Sequence, residues 1–144
     1  RKSISSWIDH ERLNNKMPKP LKIDVKDTPW QIPSNILDSL QGIISINMIH
    51  IAPWQCTESL FKESSKILKE RRFLLLYGPF KIKDKHTSES NKLFDKSLKN
   101  QNNDWGVRNL ENVNEEAMIN GFNQEQIIEM PSNNIILIYR KVSL

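Results

Sequence analysis

Cysteine, histidine, glycine and long apolar segments are all scarce in this sequence, and each shortage excludes a class of protein. The single cysteine, Cys56, excludes an internal disulfide, and three histidines are too few to form a cluster with zinc-ligand spacing. No apolar segment approaches the ~20 residues that cross a bilayer. None of the four glycines stands in a GxGxxG arrangement. We therefore expect a cytoplasmic protein in a reducing setting, without metal, membrane helix or glycine-rich phosphate loop.

The length and composition predict one globular domain, residues 1–144. Hydrophobic residues make up 38% of the chain and charged residues 26%, which is typical of a soluble protein. The first residue is Arg1 rather than methionine, and we expect further sequence upstream of it.

Positive charge is concentrated in residues 62–85. This segment contains eight Lys and Arg residues and three acidic ones, which gives a net charge of +5. One interpretation is a solvated helix face followed by a polar loop. The other is a binding surface for an anionic partner. The segment lacks interleaved aromatic residues and any recognisable nucleic-acid motif, so it favours the second interpretation only weakly.

The N-terminal third alternates short elements with proline-rich loops. Apolar residues at helical spacing predict an amphipathic helix over residues 3–15. LKIDV (21–25) has the pattern of a short strand. Two prolines make residues 27–35 a loop, and NILDSL (35–40) predicts a short helix.

The centre of the chain predicts a βαβ unit. IISINMIHI (43–51) is almost continuously apolar and β-branched at five of nine positions, which is typical of a strand buried on both faces of a parallel sheet. Residues 55–69 carry an apolar stripe at helical spacing. FLLLYGPF (73–80) repeats the buried-strand pattern, so strand, helix and strand follow within about forty residues.

The C-terminal part predicts a polar loop over 81–92, helices over 90–100 and 112–122, and a final pair of strands. Gly121 suits the C-terminal cap of the second helix. The strands, 125–130 and 133–142, are separated by so short a link that they must form an antiparallel hairpin. The expected fold class is α/β, with a mostly parallel sheet that ends in a reversed strand.

Two polar residues stand at the carboxyl end of the apolar segment 43–51. Asn47 and His50 would each cost about 1–3 kcal/mol if they were buried without a hydrogen-bonding partner. Open α/β sheets bind their ligands at this edge, so both side chains are candidates for a ligand cleft. The alternative is that they satisfy neighbouring backbone groups.

Five segments, INMIHIAPW, LYGPFK, HTSESNKLFD, WGVRNLE and EMPSNN, occur in an order that resembles the methyltransferase-like 26 family. The layout is similar to a class I, Rossmann-like S-adenosylmethionine-dependent methyltransferase, whose seven-stranded sheet has the order 3-2-1-4-5-7-6 with strand 7 antiparallel. The resemblance covers roughly residues 20–140. It implies S-adenosylmethionine as cofactor and an unknown methyl acceptor, which can be a small molecule, a protein or RNA.

The sequence departs from that family in two places. It lacks the first strand with its glycine-rich cofactor loop and the second strand with its acidic end. It also reads KERRF where the family has a proline-glycine turn. The resemblance therefore implies that 1–144 is the C-terminal two thirds of a single methyltransferase domain, incomplete at the N-terminus.

The resemblance also implies roles for individual residues. Asp24, Asn47 and Met48 would bind the cofactor, with Asp24 near the adenine or, alternatively, only capping its loop. His50 and Asn47 would be catalytic, His50 as a proton acceptor and Asn47 as an orienting group. Residues 81–92 would form a lid over the substrate or, alternatively, a surface excursion. The candidate substrate contacts are Trp54, Tyr77, Phe80, His86 and Asn91, with a place in the core as the alternative for Trp54.

Two other classes remain open at this stage. A non-catalytic Rossmann-like module would bind RNA or an acidic protein through residues 62–85, in a salt-sensitive way. A dehydrogenase is disfavoured by the reversed terminal hairpin and by the absence of a Tyr-x-x-x-Lys pair.

Overall fold

The computed structural model describes residues 1–142, so residues 143 and 144 of the predicted domain lie outside the described residues. Its elements, in chain order, are α1 (Lys2–His10), α2 (Ser34–Ser39), β1 (Gly42–Ile46), α3 (Trp54–Ile67), β2 (Phe73–Gly78), β3 (Phe80–Ile82), β4 (Lys85–His86), α4 (Glu89–Gln101), β5 (Arg108–Asn109), α5 (Leu110–Ile119), β6 (Phe122–Met130), a 3-10 turn (Pro131–Asn133) and β7 (Asn134–Lys141). No helix within 1–142 has the length and hydropathy needed to cross a membrane.

The main sheet has the strand order β1-β2-β7-β6. β1 and β2 are parallel and are joined through α3, which confirms the predicted βαβ unit. β7 is antiparallel to both of its neighbours, and β6 and β7 form the predicted terminal hairpin. The order confirms the predicted α/β fold class with its reversed C-terminal strand. A second, small sheet contains β4, β3 and β5.

The hydrophobic core lies on one face of the main sheet. Leu74 and Leu76 of β2, with Leu137 and Tyr139 of β7, are at most 1% exposed because alternate side chains of a strand point to the same face. Helices α3 and α5 cover this face, and Phe61 of α3 meets the Tyr139 ring edge-on at 5.3 Å. The apolar stripe predicted over residues 55–69 therefore packs on the sheet as expected.

The opposite face of the sheet is only partly covered. Ile44 and Ile46 of β1 are 59% and 62% exposed. β1 is also an edge strand, and no strand among the described residues pairs with its outer side. The prediction that segment 43–51 is buried on both faces is therefore wrong. The pattern reflects a strand suited to the interior of a larger sheet, but residues 1–142 supply neither the next strand nor the helices for that face.

The strand predicted over LKIDV (21–25) is not formed. Residues 21–24 have no regular structure and a turn begins at Val25. The Asp24 carboxylate accepts a hydrogen bond from the Lys26 N–H at 3.0 Å, and the Asp24 carbonyl accepts one from Asp27. A strand needs a neighbouring strand to pair its backbone groups, and none within 1–142 lies beside this segment.

Both apolar segments form shorter strands than predicted. β1 ends at Ile46, because Asn47 takes a left-handed conformation with φ of 53°. β2 ends at Gly78, because Pro79 has no N–H to continue a ladder, and Phe80 starts β3 in the small sheet. The predicted helix 3–15 likewise ends at His10. The other predicted helices are present, and Gly121 ends α5 with φ of 75°.

The loop predicted over 81–92 is wrong as a description of most of that segment. β3 and β4 form a hairpin through Lys83 and Asp84, both with positive φ, as a two-residue turn of this type requires. Helix α4 then begins at Glu89, and the Ser88 hydroxyl caps it by accepting a hydrogen bond from the Asn91 N–H. The expected substrate lid is instead an ordered hairpin and a helix start.

Candidate functional site

A cleft of about 510 Å³ lies at the carboxyl ends of β1 and β2. Its floor comes from the turn after β1, one wall from the end of β2, a second from the first turns of α4 and a third from the β6–β7 turn. Sequence analysis predicted a cleft at this edge of the sheet. The lining residues are Asn47, His50, Ile51, Tyr77, Pro79, Ser90, Asn91, Phe94, Ser132 and Asn134.

Asn47 turns the chain from β1 into the cleft floor. Its φ of 53° is a conformation that asparagine tolerates better than most residues. Its N–H donates a hydrogen bond to the Tyr77 carbonyl at 2.9 Å, so the turn stays attached to the end of β2. The Asn47 side chain itself is exposed and faces the cleft. Its amide is therefore available to a ligand.

His50 is the buried polar group of the cleft. The residue is 3% exposed, and no described protein group lies within hydrogen-bond distance of its Nδ1 atom. The Phe94 ring meets the imidazole edge-on, with ring centroids 5.6 Å apart. Burial, and to a smaller extent the Arg108 charge, lowers the pKa of His50 below its ordinary value. The imidazole is therefore neutral near pH 7 and retains a nitrogen that can accept a proton.

Gly78 is the point where β2 passes closest to this imidazole. A Cβ atom at residue 78 would lie 3.2 Å from both Cε1 and Nδ1 of His50. Such a contact is tighter than ordinary van der Waals packing, so one of the two groups has to move. The absence of a side chain at residue 78 is therefore part of what seats His50.

We expect Gly78→Ala to displace the His50 ring and to lower the free energy of unfolding by about 1–3 kcal/mol, as overpacking does. Denaturant unfolding and the chemical shifts of the imidazole measure the two effects. Gly42→Ala is the matched control, since its Cβ would meet the Phe73 ring at the other end of β1. That variant is destabilised without a change at His50. Equal imidazole shifts in both variants would remove the role given to Gly78.

Arg108 fastens the turn that carries His50. Its Nε donates to the Ile49 carbonyl at 2.9 Å, and one Nη donates to the carbonyls of Ala52 and Asp104. The Gly106 N–H donates to the His50 carbonyl at 3.0 Å. Segment 104–108 thus brackets His50 on both sides. Sequence analysis quoted WGVRNLE for its resemblance only and assigned no role to these two residues.

The α4 wall is tied to the β6–β7 turn by Asn91. Its Nδ2 donates to Thr87 Oγ1 at 3.0 Å and to the Asn133 carbonyl at 2.9 Å. Both donors of the amide are therefore used, which leaves its oxygen for a ligand. Ser132 and Asn133 have φ of 59° and 57°, and this left-handed pair closes the turn against α4.

Asp95 joins α4 to the segment beneath the cleft. It is 4% exposed and accepts hydrogen bonds from the Val107 N–H and from Lys99, both at 2.7 Å. The His86 Nε2 atom lies 3.3 Å from the same carboxylate. Burial alone raises the pKa of Asp95, but the hydrogen bonds and the positive charges outweigh it and hold the pKa below its ordinary value. A Cβ at Gly106 would lie 2.8 Å from this carboxylate, so the close approach depends on glycine.

The structure brings four of the predicted site residues together in the cleft and places five elsewhere. Those in the cleft are Asn47, His50, Tyr77 and Asn91. Phe80 is 1% exposed in the core, and Met48 and Trp54 pack against that core. His86 faces Asp95, and Asp24 is exposed, with its carboxylate accepting a hydrogen bond from the Lys26 N–H. Cleft residues that sequence analysis did not list are Ile51, Ser90, Phe94, Ser132 and Asn134.

The basic residues of segment 62–85 do not form one cluster. Lys66 pairs with the buried Glu63 on α3. Lys69 and Arg71 precede β2, whereas Lys81 and Lys85 follow it, and a six-residue strand is about 20 Å long. The charge is therefore spread over different sides of the molecule, which does not favour the nucleic-acid interpretation. Among residues 1–142, no group of three or more His, Cys, Asp or Glu is placed to hold a metal ion.

A family model described as "Protein of unknown function (DUF938)" matches residues 1–141 of the chain. This match covers nearly the whole sequence.

Solved structures with a similar fold include methyltransferases. The mitomycin 7-O-methyltransferase MmcR superimposes with a TM-score of 0.78 and 14% identity, over 96% of this chain and 38% of that one. LaPhzM superimposes with a TM-score of 0.76 and 11% identity, over 98% of this chain and 40% of that one. Human N-acetylserotonin methyltransferase, solved in complex with SAM, has a TM-score of 0.70 and 14% identity, over 85% of this chain and 33% of that one. The chain thus has the class I methyltransferase fold and spans two fifths or less of the length of these structures.

Proposed function

The chain belongs to the DUF938 family of proteins of unknown function, and from this premise we propose that it is part of an S-adenosylmethionine-dependent methyltransferase. The observation that supports this best is the His50 imidazole, which is buried and neutral and lines a cleft at the carboxyl ends of two parallel strands. That edge is where open α/β sheets bind ligands. The likeness to methyltransferase structures supports the same reaction. We propose further that the chain belongs to the methyltransferase-like 26 family.

His50 fits the acceptor side of a methyl transfer. When bound, S-adenosylmethionine supplies an electrophilic methyl group on a sulfonium sulfur. An acceptor hydroxyl that took up this methyl group would have to lose its proton as the O–C bond formed and the S–C bond broke. His50 would take that proton on its imidazole and become imidazolium. Its low pKa ensures that it starts as the base.

The other cleft residues would position the reactants and exclude water. The Asn47 side-chain amide, which has no hydrogen-bonding partner among residues 1–142, would orient the reacting groups, with Met48 and Asp24 as further proposed cofactor contacts. Tyr77 and Phe94 supply ring surface beside His50. Alignment of donor and acceptor is the main contribution a protein makes to an in-line displacement.

The lining favours an uncharged acceptor that carries a hydroxyl group. None of the described residues that line the cleft is Asp, Glu, Lys or Arg, so nothing in that lining neutralises a phosphate or a carboxylate. The neighbour MmcR is named as an O-methyltransferase of mitomycin, and the human neighbour is named for N-acetylserotonin. We therefore propose a small, neutral hydroxyl compound in preference to RNA. Label transfer from radiolabelled S-adenosylmethionine to neutral and anionic fractions of a metabolite extract tests this preference.

We also propose that residues 1–144 form the C-terminal two thirds of a single methyltransferase domain. The free outer edge of β1 and the exposed Ile44 and Ile46 are the support. A parallel sheet normally has both faces covered and places such a strand in its interior. An additional parallel strand with its helices would complete the edge, the open face and the cofactor side of the cleft.

We expect the 144-residue chain to show no binding of S-adenosylmethionine by calorimetry at cofactor concentrations up to about 1 mM, a limit that corresponds to about −4 kcal/mol. The reason is the absence of a glycine-rich loop from this sequence. The matched sample is the complete protein, in which we expect binding. Micromolar affinity of the 144-residue chain would contradict the domain proposal and leave the methyltransferase proposal intact.

A further inference from the structure

We infer that Arg108 is a positioning residue for this site, because its guanidinium fixes the 49–52 turn in the conformation that presents His50 to the cleft. The catalytic meaning of this inference rests on the proposed function. The hydrogen bonds that support the inference are independent of that function.

The Arg108 contacts are distributed in a way that holds a turn from both ends. Ile49 precedes His50 and Ala52 follows it by two residues, and the carbonyls of both accept from the one guanidinium. The third contact, to the Asp104 carbonyl at 2.7 Å, fixes the arginine to its own segment. A planar group with several donors in a fixed fork can do this, whereas a lysine ammonium cannot keep all three directions.

Arg108 is also held in place by its packing. It is half-buried, and its guanidinium carbon lies 5.9 Å from the centre of the Trp54 ring, the first residue of α3. The turn, the start of α3 and segment 104–108 thus meet at one side chain. This contact also gives Trp54 a place in the site, as the surface on which the arginine rests.

The position of the charge favours the neutral form of His50. Arg108 lies behind the turn, while the groups around the imidazole on the cleft side are uncharged: Phe94 from α4, Asn47 from the turn and Tyr77 from β2. A positive charge close to a buried imidazole disfavours its protonation. The same side chain therefore sets both the place of His50 and its readiness to accept a proton.

Two variants separate these effects in the complete protein. Arg108→Lys keeps the charge and loses the fork, and Arg108→Met keeps the length and loses both. The first measurement is hydrogen exchange of the Gly106 amide, which donates to the His50 carbonyl. Leu76, in the central strand β2, reports global unfolding. The second measurement is the titration of His50 by the nitrogen shifts of its imidazole.

We expect Gly106 exchange to accelerate at least about tenfold in both variants relative to Leu76, since hydrogen bonds to a charged group are lost. The His50 titration midpoint should rise in Arg108→Met and stay near the wild-type value in Arg108→Lys. Arg140→Lys is the matched control, because Arg140 also binds a backbone carbonyl, that of Arg71, at the far end of β2. It should change neither measurement.

Unchanged exchange at Gly106 would overturn the inference. Equal acceleration at Gly106 and Leu76 would also overturn it, since Arg108 would then stabilise the whole fold without a local role. Both measurements are made without cofactor or acceptor, so their failure leaves the methyltransferase proposal standing. Conversely, a protein that proves inactive would leave the positioning of the turn unaffected.

Discussion

We expect the His50→Ala variant of the complete protein to transfer methyl groups about 10²- to 10⁴-fold more slowly than wild type, the range that a general base contributes. Binding of S-adenosylmethionine should be nearly unchanged. The reason is that His50 acts on the acceptor proton, whereas cofactor affinity depends on other contacts. The measurements are kcat from radiolabelled cofactor with the identified acceptor, and the cofactor Kd from calorimetry.

The pH dependence gives this prediction a second, independent readout. The pKa of His50 lies below 6.5, because burial and the Arg108 charge both disfavour imidazolium. Wild-type kcat/KM should therefore rise with pH through this lowered pKa to a plateau above it. The residual activity of His50→Ala should lack that rise, because the titrating group has been removed.

The same lowered pKa links His50 to stability with a definite sign. Between the folded-state pKa and the ordinary value near 6.5, the unfolded chain binds more protons than the folded one. As far as His50 is concerned, the free energy of unfolding should therefore be at its maximum above about pH 6.5 and should fall as the pH drops through this window. The loss ends once His50 is also protonated in the folded state.

His10 provides the control for these experiments. It lies on α1 and is exposed, with its side chain 3.7 Å from Glu11. We expect His10→Ala to keep the wild-type kcat. If His50→Ala also retained it, proton acceptance by His50 would be excluded, and alignment alone would have to account for the reaction.

The sheet could be predicted because its signals are local. FLLLY and IILIY are apolar segments with no helical period, and the short Pro-Ser-Asn link leaves only an antiparallel return. The length of β1 was overestimated, because an apolar pattern does not show which residue takes a left-handed backbone conformation. Asn47 was the available signal, since asparagine tolerates positive φ. Asp84 could similarly have predicted the β3–β4 turn.

The supports of the cleft could not be predicted from patterns. Arg108 binds carbonyls 56 and 59 residues away, and backbone carbonyls leave no trace in a sequence. The contact between the Asp95 carboxylate and the Val107 N–H also involves a backbone group, so no periodic pattern in the sequence predicts it. The strand predicted for LKIDV is not formed for a related reason. Its local pattern suits a strand, but within 1–142 it has no neighbouring strand to pair with.

We expect Asp95→Ala to lower the free energy of unfolding by about 2–4 kcal/mol, a loss typical of breaking a buried, hydrogen-bonded charge. The substitution leaves the buried Val107 N–H without an acceptor and removes the carboxylate that Lys99 and His86 face. Because Lys99 is 52% exposed, its ion pair contributes less than the contact with Val107. Asp95→Asn, which retains an oxygen for Val107, should lose less.

Acid should reduce the difference between wild type and Asp95→Ala. The folded-state pKa of Asp95 lies below 3.8, so the charge-dependent part of its contribution is complete above about pH 4 and is lost as the pH falls through that lowered pKa. Denaturant unfolding at several pH values measures this, with Asp38→Ala on the exposed side of α2 as control. A loss no larger than that of Asp38→Ala would mean that Asp95 does not join α4 to segment 104–108. A full difference that persists in strong acid would mean that the carboxylate charge contributes little, because a protonated carboxyl no longer attracts Lys99 or His86 but still accepts a hydrogen bond from the Val107 N–H.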